Sequence, residues 1–565
     1  MLTKEASSSV TPVDWTTPNK LPEDASFVSL TKTITMKRFN HILKTGVVAA
    51  LLVTASSACV NDLDRVPVYD VTSASVYADA NNYKAVLAKL YAVMAVSGQQ
   101  GPAGKPDITG IDEGTSNYVR LLWCLQELPT DEAVIAWNDA TIQDFHNMRW
   151  TSSDGFITGM YNRIFYLVAA ANEFIRETTD EKLASRNITG QAATDARTYR
   201  AEARFLRALA YAHAIDLFGS VPFVTEADAP GSFLPRQISR ADLFTYVESE
   251  LKAIEEALPA ARTGEYGRAD RAASQALLAR LYLNAQVYTG TARYTEAIAY
   301  ASLVIAANAY SLDPNYQNLF RADNNTSPEI ILPVTFDGLR TQTYGGMTFL
   351  IHAPVGGSMP PAQFGINGGW AGLRTTKALV GQFSDPTGAT DKRALFYTQG
   401  QNLEINDVTV FTEGYAITKY RNVTSAGVAG SDPSGNFPDT DFPLIRLAEM
   451  YLTYSEAVLR GGTGGDAATA LRYINLLRTR AGATQATSSD LTLDFVLAER
   501  ARELYWEGQR RTDLIRYGRF TTASYLWPWK GGVKEGRAVE DFRNLYPIPA
   551  SDLVANPSLQ QNPGY

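Results

Sequence analysis

Ala279-Arg-Leu-Tyr-Leu-Asn-Ala285, followed after a turn by Ala297-Ile-Ala-Tyr-Ala301, is the stretch whose reading decides the fold. The pattern returns as Ala448-Glu-Met-Tyr-Leu-Thr-Tyr454, a Gly-rich turn from Gly461 to Gly465, and Ala467-Ala-Thr-Ala-Leu471. Each copy reads as two helices with small residues at their crossing, joined by a short turn, which is the tetratricopeptide-like pattern. Such a pair buries one face only by stacking on neighbours, so repeated pairs build a rigid scaffold. Working outward, apolar residues recur with a 3.6-residue period near 82–95, 157–177, 194–217, 271–288, 294–307, 446–460, 466–480 and 492–508. A further helix starts at Ser239, which can cap it. Asp242 sits at its third position, Leu243, Val247, Leu251, Ile254 and Leu258 form one face, and Pro259 ends it. The prediction is a mainly α protein with a helical-pair scaffold over about 75–310 and 440–520. Between about 310 and 440 the chain is rich in Gly, Pro, Asn and Thr, and it reads as loops and short strands laid over the scaffold, where binding residues tend to sit.

Bulk properties narrow the function. The 565 residues are 45% hydrophobic and 19% charged, an ordinary composition for a globular protein with a large core. A net charge of -8 with no basic run argues against nucleic-acid binding, which needs clustered Lys and Arg. Aromatics make up 11% of the chain, which suits a carbohydrate binder, although most aromatic residues serve the core. The two cysteines, Cys59 and Cys124, make neither a disulfide framework nor a Cys-rich metal site. Outside the N-terminal segment the histidines are His146, His213 and His352; none has metal spacing, and all three read as structural. No cofactor is expected. The acidic Asp439 and Asp441 are the one place where calcium enters consideration, since hard oxygen ligands suit it, but their spacing is not diagnostic.

Residues 36–58 read as a lipoprotein signal. Lys37, Arg38 and Lys44 form a positive segment, and Gly46-Val-Val-Ala-Ala-Leu-Leu-Val53 is apolar but too short to span a bilayer. Ser57-Ala58 then lead to Cys59, with Ser56 where Leu is more usual. Cleavage before Cys59 leaves it as the lipidation site and the membrane anchor. Residues 1–35 are polar and mixed in charge, which does not suit the front of a signal peptide, so translation is expected to start at Met36. Val60-Asn-Asp-Leu-Asp64 resembles the acidic surface-export signal of bacterial lipoproteins. The mature chain, 59–565, reads as a single domain.

Longer motifs carry a family likeness. Glu202-Ala-Arg-Phe-Leu-Arg-Ala208, followed by Asp216-Leu-Phe-Gly-Ser-Val-Pro-Phe223, resembles the first signature of the SusD/RagB family. Glu499-Arg-Ala-Arg-Glu-Leu-Tyr-Trp-Glu-Gly-Gln-Arg-Arg-Thr-Asp-Leu-Ile-Arg516 resembles its second, and Tyr546-Pro-Ile-Pro549 with Gln561-Asn-Pro-Gly-Tyr565 resembles its usual ending. Asp112-Glu-Gly114, Glu127-Leu-Pro-Thr-Asp-Glu132, Tyr344-Gly-Gly346 and Trp529-Lys-Gly-Gly532 are similar to the starch-binding branch. The resemblance implies a surface-exposed outer-membrane lipoprotein without catalytic activity. It captures oligosaccharides, here α-glucan, and passes them to a SusC-like TonB-dependent transporter.

A sugar ring has an apolar C–H face and a polar rim, so it needs flat aromatics and a few polar groups. By resemblance, the aromatic arc of the starch binder falls on Trp137, Tyr344 and Trp370, with Asp112 and Arg120 as polar contacts and Asn138 close by. Two departures stand out: Ile135 occupies the place of a second Trp, and Ala140 that of a ligand-contacting Asn. One stacking platform is therefore expected to be missing. Trp527 and Trp529 are expected to pack against the scaffold. Two other readings compete. A secreted glycoside hydrolase would need paired carboxylates across a cleft, and no catalytic motif stands out. A helical scaffold that binds only protein would leave Trp137, Tyr344 and Trp370 scattered or buried.

Overall fold

The computed structural model describes residues 73–102, 105–139, 141–228, 231 and 233–565. The leader, the signal segment, Cys59 and Ala140 lie outside the described residues. Helices form where the 3.6-residue period is clear: α1 (Asn82–Ala95), α3 (Gly155–Glu177), α4 (Gly190–Leu217), α5 (Arg240–Ile254), α6 (Arg271–Leu283), α7 (Tyr294–Ala306), α9 (Leu447–Leu459), α10 (Ala467–Ala481) and α11 (Leu493–Leu504). Three more were not legible as periods: α2 (Tyr118–Glu127), α8 (Gly346–His352) and α12 (Arg510–Arg516). Shorter helices are left unlabelled.

Capping chemistry sets several boundaries. At the start of α5 the Ser239 hydroxyl accepts from the Asp242 amide at 3.1 Å and donates to the Asp242 carboxylate at 2.7 Å. The helix ends at Ile254, short of Pro259, because turns carry the chain from there to Leu258. The expected 271–288 helix is broken at Asn284, whose side chain donates back to the Arg280 carbonyl at 2.9 Å. The expected 492–508 helix stops at Leu504, because Tyr505 turns extended and Trp506 takes φ +63°.

In the scaffold α3 packs on α4, α4 on α5, α5 on α6, α6 on α7, α7 on α9 and α9 on α10. The two sequence repeats are thus adjacent pairs of one stack, α6–α7 and α9–α10. Small residues at the crossings, among them Ala279, Ala297, Ala301, Ala448 and Ala470, are all fully buried, which lets the helices approach closely. The architecture is mainly α. Strands are short and pair two by two: β1 (Val134–Ile135) with β3 (Leu373–Arg374), and β2 (Ile330–Val334) with β4 (Phe442–Arg446), both antiparallel. The β2–β4 pair thereby joins the two ends of the segment between α7 and α9, and the β1–β3 pair ties its middle to the chain before α3. All ten residues of α2 are buried, and it packs against α3, α8 and α12. Among the described residues no helix is long and apolar enough to cross a membrane.

Candidate functional site

The site grows from the two ends of α8. At its start, Tyr344 is followed by Gly345 and Gly346. A Cβ on Gly345 would lie 2.2 Å from the Asn117 Cβ, and one on Gly346, at φ +51°, would lie 2.5 Å from the Phe336 ring. Only glycine lets the chain enter α8 against the N-terminus of α2, which Asn117 caps by accepting from the Arg120 amide at 3.1 Å. Tyr344 stays 38% exposed, with its ring 5.5 Å from that of Phe437.

At the other end, the last carbonyls of α8 need donors. The Gly-rich loop supplies them: Trp370 N bonds to His352 O at 2.8 Å, and Gly372 N to Ala353 O at 2.7 Å. The Trp370 ring stacks on His352 at 4.8 Å and 27°. Strand β1 then brings Trp137 alongside, because Ala136 N bonds to Gly372 O at 2.8 Å. A Cβ on Gly372 would come within 2.4 Å of the Trp137 indole, so the close approach requires glycine. Trp137 donates its Nε1–H to Trp370 O at 3.0 Å, and the two rings lie 6.2 Å apart.

Arg120 lies beneath. Its guanidinium sits 4.3 Å from the Phe349 ring and 6.0 Å from Trp137, and Nη1 donates to Gly114 O at 3.1 Å. It is only 6% exposed. Burial lowers its pKa from the ordinary value, while Cys124, Asp139 and Asp112 pull the other way. Asp112 is exposed; its Oδ1 accepts from Thr115 N at 2.7 Å and Thr115 Oγ1 at 2.9 Å. The Gly114 Cα is flanked at once by Asp112 Oδ1 and the Tyr344 side chain, each 3.6 Å from the Cβ position. Asn138 is exposed beside Trp137.

The predicted residues therefore come together. Contacts run from Tyr344 past Gly114 to Arg120, on to Trp137 and Trp370, down to His352, and back through Asn436 and Phe437 to Tyr344. This grouping disfavours a scaffold with scattered or buried aromatics. The floor of the ring, Phe349, His352 and Phe437, was missed as a part of the site. A buried Phe inside a short helix has no signature, and His352 gave only its structural reading. Ile135, the position of the expected missing platform, is 0% exposed and pairs with Leu373, so its side chain belongs to the core. Trp527 is buried as expected, whereas Trp529 donates to Ile405 O at 3.0 Å and packs on the small cluster of Val134, Ile405 and Val408, two of which belong to the loop-rich segment and not to the helical scaffold.

Asp439 and Asp441 face donors. Asp439 accepts from Gly338 N at 2.8 Å and from Ser431 N and Oγ; Asp441 accepts from Phe336 N and Tyr266 OH, each at 2.7 Å. Burial pushes the Asp441 carboxyl up to about 7. His146 and His213 are held neutral by burial, each with a pKa near 3, and His213 Nδ1 lies 2.7 Å from Tyr118 OH, consistent with structural roles.

Two family models match the chain: "SusD family" over residues 384–565 and "Starch-binding associating with outer membrane" over residues 114–283. The chain is 38% identical over 570 residues to the starch-binding protein SusD of Bacteroides thetaiotaomicron, covering 92% of this chain and 98% of that one. It is 25% identical to a SusD-like protein of Bacteroides ovatus, over 68% of this chain and 69% of the relative. Among solved structures, surface glycan-binding protein A of Bacteroides thetaiotaomicron in complex with laminarihexaose shares the fold. Its TM-score is 0.66 at 20% identity, over 85% of this chain and 99% of that one. Two signatures, a helical-pair stack and a full-length relative at this identity agree: the chain belongs to the SusD family.

Proposed function

We propose that this SusD-family glycan-binding protein, which is not an enzyme, captures α-glucan at the cell surface. In this reading it is held to the outer membrane by lipid on Cys59 and passes maltooligosaccharides to a SusC-like TonB-dependent transporter. One observation supports the ligand class above others. Trp137, Trp370 and Tyr344 come from three separate stretches of chain, yet they join one continuous surface with a buried cation behind it. Two indoles tilted by 45° to each other suit the faces of successive rings of a curved glucan better than those of a flat chain. Asp112 and Asn138 stand at the exposed edge, where ring hydroxyls would lie. The site is shallow, so its affinity is expected to be roughly micromolar to millimolar.

Affinity gel electrophoresis tests this reading. Lipid-free protein starting at Asn61 is run through amylopectin, pullulan, xylan, laminarin or no polysaccharide, with Trp370→Ala beside it. Retardation in amylopectin, lost in the variant by about tenfold in affinity, is the expected outcome. Retardation only in laminarin or xylan would move the protein to another glycan. Release of reducing sugar from any of these polysaccharides would sink the binding role in favour of a hydrolase.

A further inference from the structure

Beneath the stacking surface, His352 has an arrangement that packing alone does not ask for. The ring is 1% exposed at the last residue of α8. Its Nδ1 lies 2.7 Å from Gly368 O and its Nε2 lies 2.9 Å from Asn436 O. Both nitrogens thus face carbonyl oxygens. A neutral imidazole has one N–H and can serve only one of them. Burial works against a second proton, lowering the pKa from 6.5, while the two carbonyls work for it.

The two carbonyls belong to different loops. Gly368 stands two residues before Trp370, which stacks on the same imidazole and gives its amide to the His352 carbonyl at 2.8 Å. Asn436 precedes Phe437, whose ring supports Tyr344. One side chain therefore touches the supports of both ends of the aromatic arc. The polar groups opposite it are these carbonyls and the indole face; no ion pair enters the pKa balance of the ring.

We infer that His352 is a positioning residue of the glycan surface: at the end of α8 it stacks under Trp370 and donates its N–H to one of the two loop carbonyls, Gly368 O or Asn436 O, so that both stacking faces are presented together. The inference rests on the glycan-binding reading for its effect on affinity, but not for its effect on the loops. Its chemistry separates into three parts. His352→Phe keeps a ring under Trp370 and removes the hydrogen bond that the imidazole donates. His352→Asn places an amide nitrogen near the position of Nδ1 and keeps a donor for Gly368 O. His352→Gln places one near Nε2 and keeps a donor for Asn436 O.

Two readouts test it. The first is maltoheptaose affinity by calorimetry, with the melting temperature measured alongside. The second needs no ligand: acrylamide quenching of Trp370, taken as the difference between each protein and the same protein carrying Trp370→Phe. His352→Phe is expected to weaken maltoheptaose by about fivefold, the size of one moderate contact, with little change in melting temperature. His352→Asn should hold Trp370 quenching nearer the parent value than His352→Gln does. If the parent binds no maltoheptaose, the glycan reading fails, and the quenching series still decides the role of His352. Unchanged affinity and quenching in folded His352→Phe would overturn the inference. So would equal losses in affinity and stability across all three variants, which is what a simple core residue would give. Should the substitutions unfold the chain, the imidazole ¹⁵N resonances of the parent protein carry the test. Shifts of a ring with one protonated, hydrogen-bonded nitrogen support the tie, and those of a ring hydrogen-bonded at neither nitrogen overturn it.

Discussion

Two regions of this molecule solve opposite problems with the same residue types. In the 499–516 signature, charged side chains are buried against each other; on the candidate glycan surface, a buried cation, Arg120, lies behind aromatics that stay partly open. Glu499 and Glu503 are 0% exposed and Glu507 is 2% exposed, spaced four residues apart. Arg446, at the end of β4, reaches three carboxylates: Glu329 at 2.8 Å, Glu503 at 2.7 Å and Glu507 at 2.7 Å. Arg393 reaches Glu499 and Asp391, each at 2.7 Å, and Lys419 reaches Glu507 at 2.7 Å. Arg516 ties in Glu456 of α9 at 2.6 Å and Asn284 at 2.8 Å. The lattice therefore joins the loop-rich segment, the strand pair and the helical stack. The glycan surface joins nothing of comparable extent. It hangs on this frame from backbone contacts around α8.

The difference explains why the most recognisable motif says least about the ligand. A buried charge tolerates no loss of its partner, because an unpaired ion in the interior costs several kcal/mol. The motif is a long, distinctive string because every member answers to several others. A shallow saccharide surface needs only a few flat faces and polar groups, and these come as single residues in short loops.

The comparison breaks first if the lattice proves dispensable. Arg446→Ala takes one cation from three buried carboxylates, leaving Glu329 and Glu503 to Arg480 and Glu507 to Lys419, and a loss of about 3–5 kcal/mol in unfolding free energy is expected. Trp370→Ala, by contrast, should leave the denaturation midpoint nearly unchanged while affinity falls. A cost below about 1 kcal/mol for Arg446→Ala by urea unfolding would show that water reaches the lattice.

Acid offers the second test. Burial pushes the Glu499 carboxyl up, but Arg393, Arg502 and Arg478 together outweigh it and hold the pKa at about 2. The folded value lies below the ordinary 4.5. The stabilisation is therefore present above about pH 4.5 and lost as pH falls toward 2, on the order of 2–3 kcal/mol for this one group. Urea midpoints measured from pH 6 to pH 2.5 should fall steeply, and Glu499→Gln should flatten that slope while lowering the plateau. An equal slope in the variant would assign the acid sensitivity to other carboxylates.

How much of this was legible in the sequence follows the same division. Amphipathic helices with a polar face announce themselves, and α1, α3 to α7 and α9 to α11 lie where the period placed them. Helix α2 did not: Tyr118, Leu121, Leu122 and Leu125 recur at helical spacing opposite Arg120 and Glu127, but the stretch is only ten residues long, too short for the period to stand out, and the fold buries its polar face as well. It also carries Arg120, so the cation was identified by resemblance while its support was not foreseen. Trp137, Trp370 and Tyr344 were legible because they sit in short motifs that resemble those of the starch binder. Phe349, His352 and Phe437 were not, because a buried ring in the floor of a site looks like any other core residue until the fold sets it beneath another.

Ile135 gives the finest test, because it lies where the two regions meet. The resemblance put an aromatic of the starch binder at this position, and its absence suggested a weaker surface. In this structure Ile135 sits in β1 opposite Leu373 with no exposed area, two residues before Trp137. A larger ring here must enter the core under the indoles. Ile135→Trp is therefore expected to cost about 1–3 kcal/mol in stability by overpacking, with no gain in amylopectin retardation. If the variant instead binds amylopectin more tightly at unchanged stability, the side chain at 135 reaches the surface once it is large enough. The arc would then extend one ring beyond Trp137, and the boundary between frame and binding surface would run beneath residue 135 instead of through it.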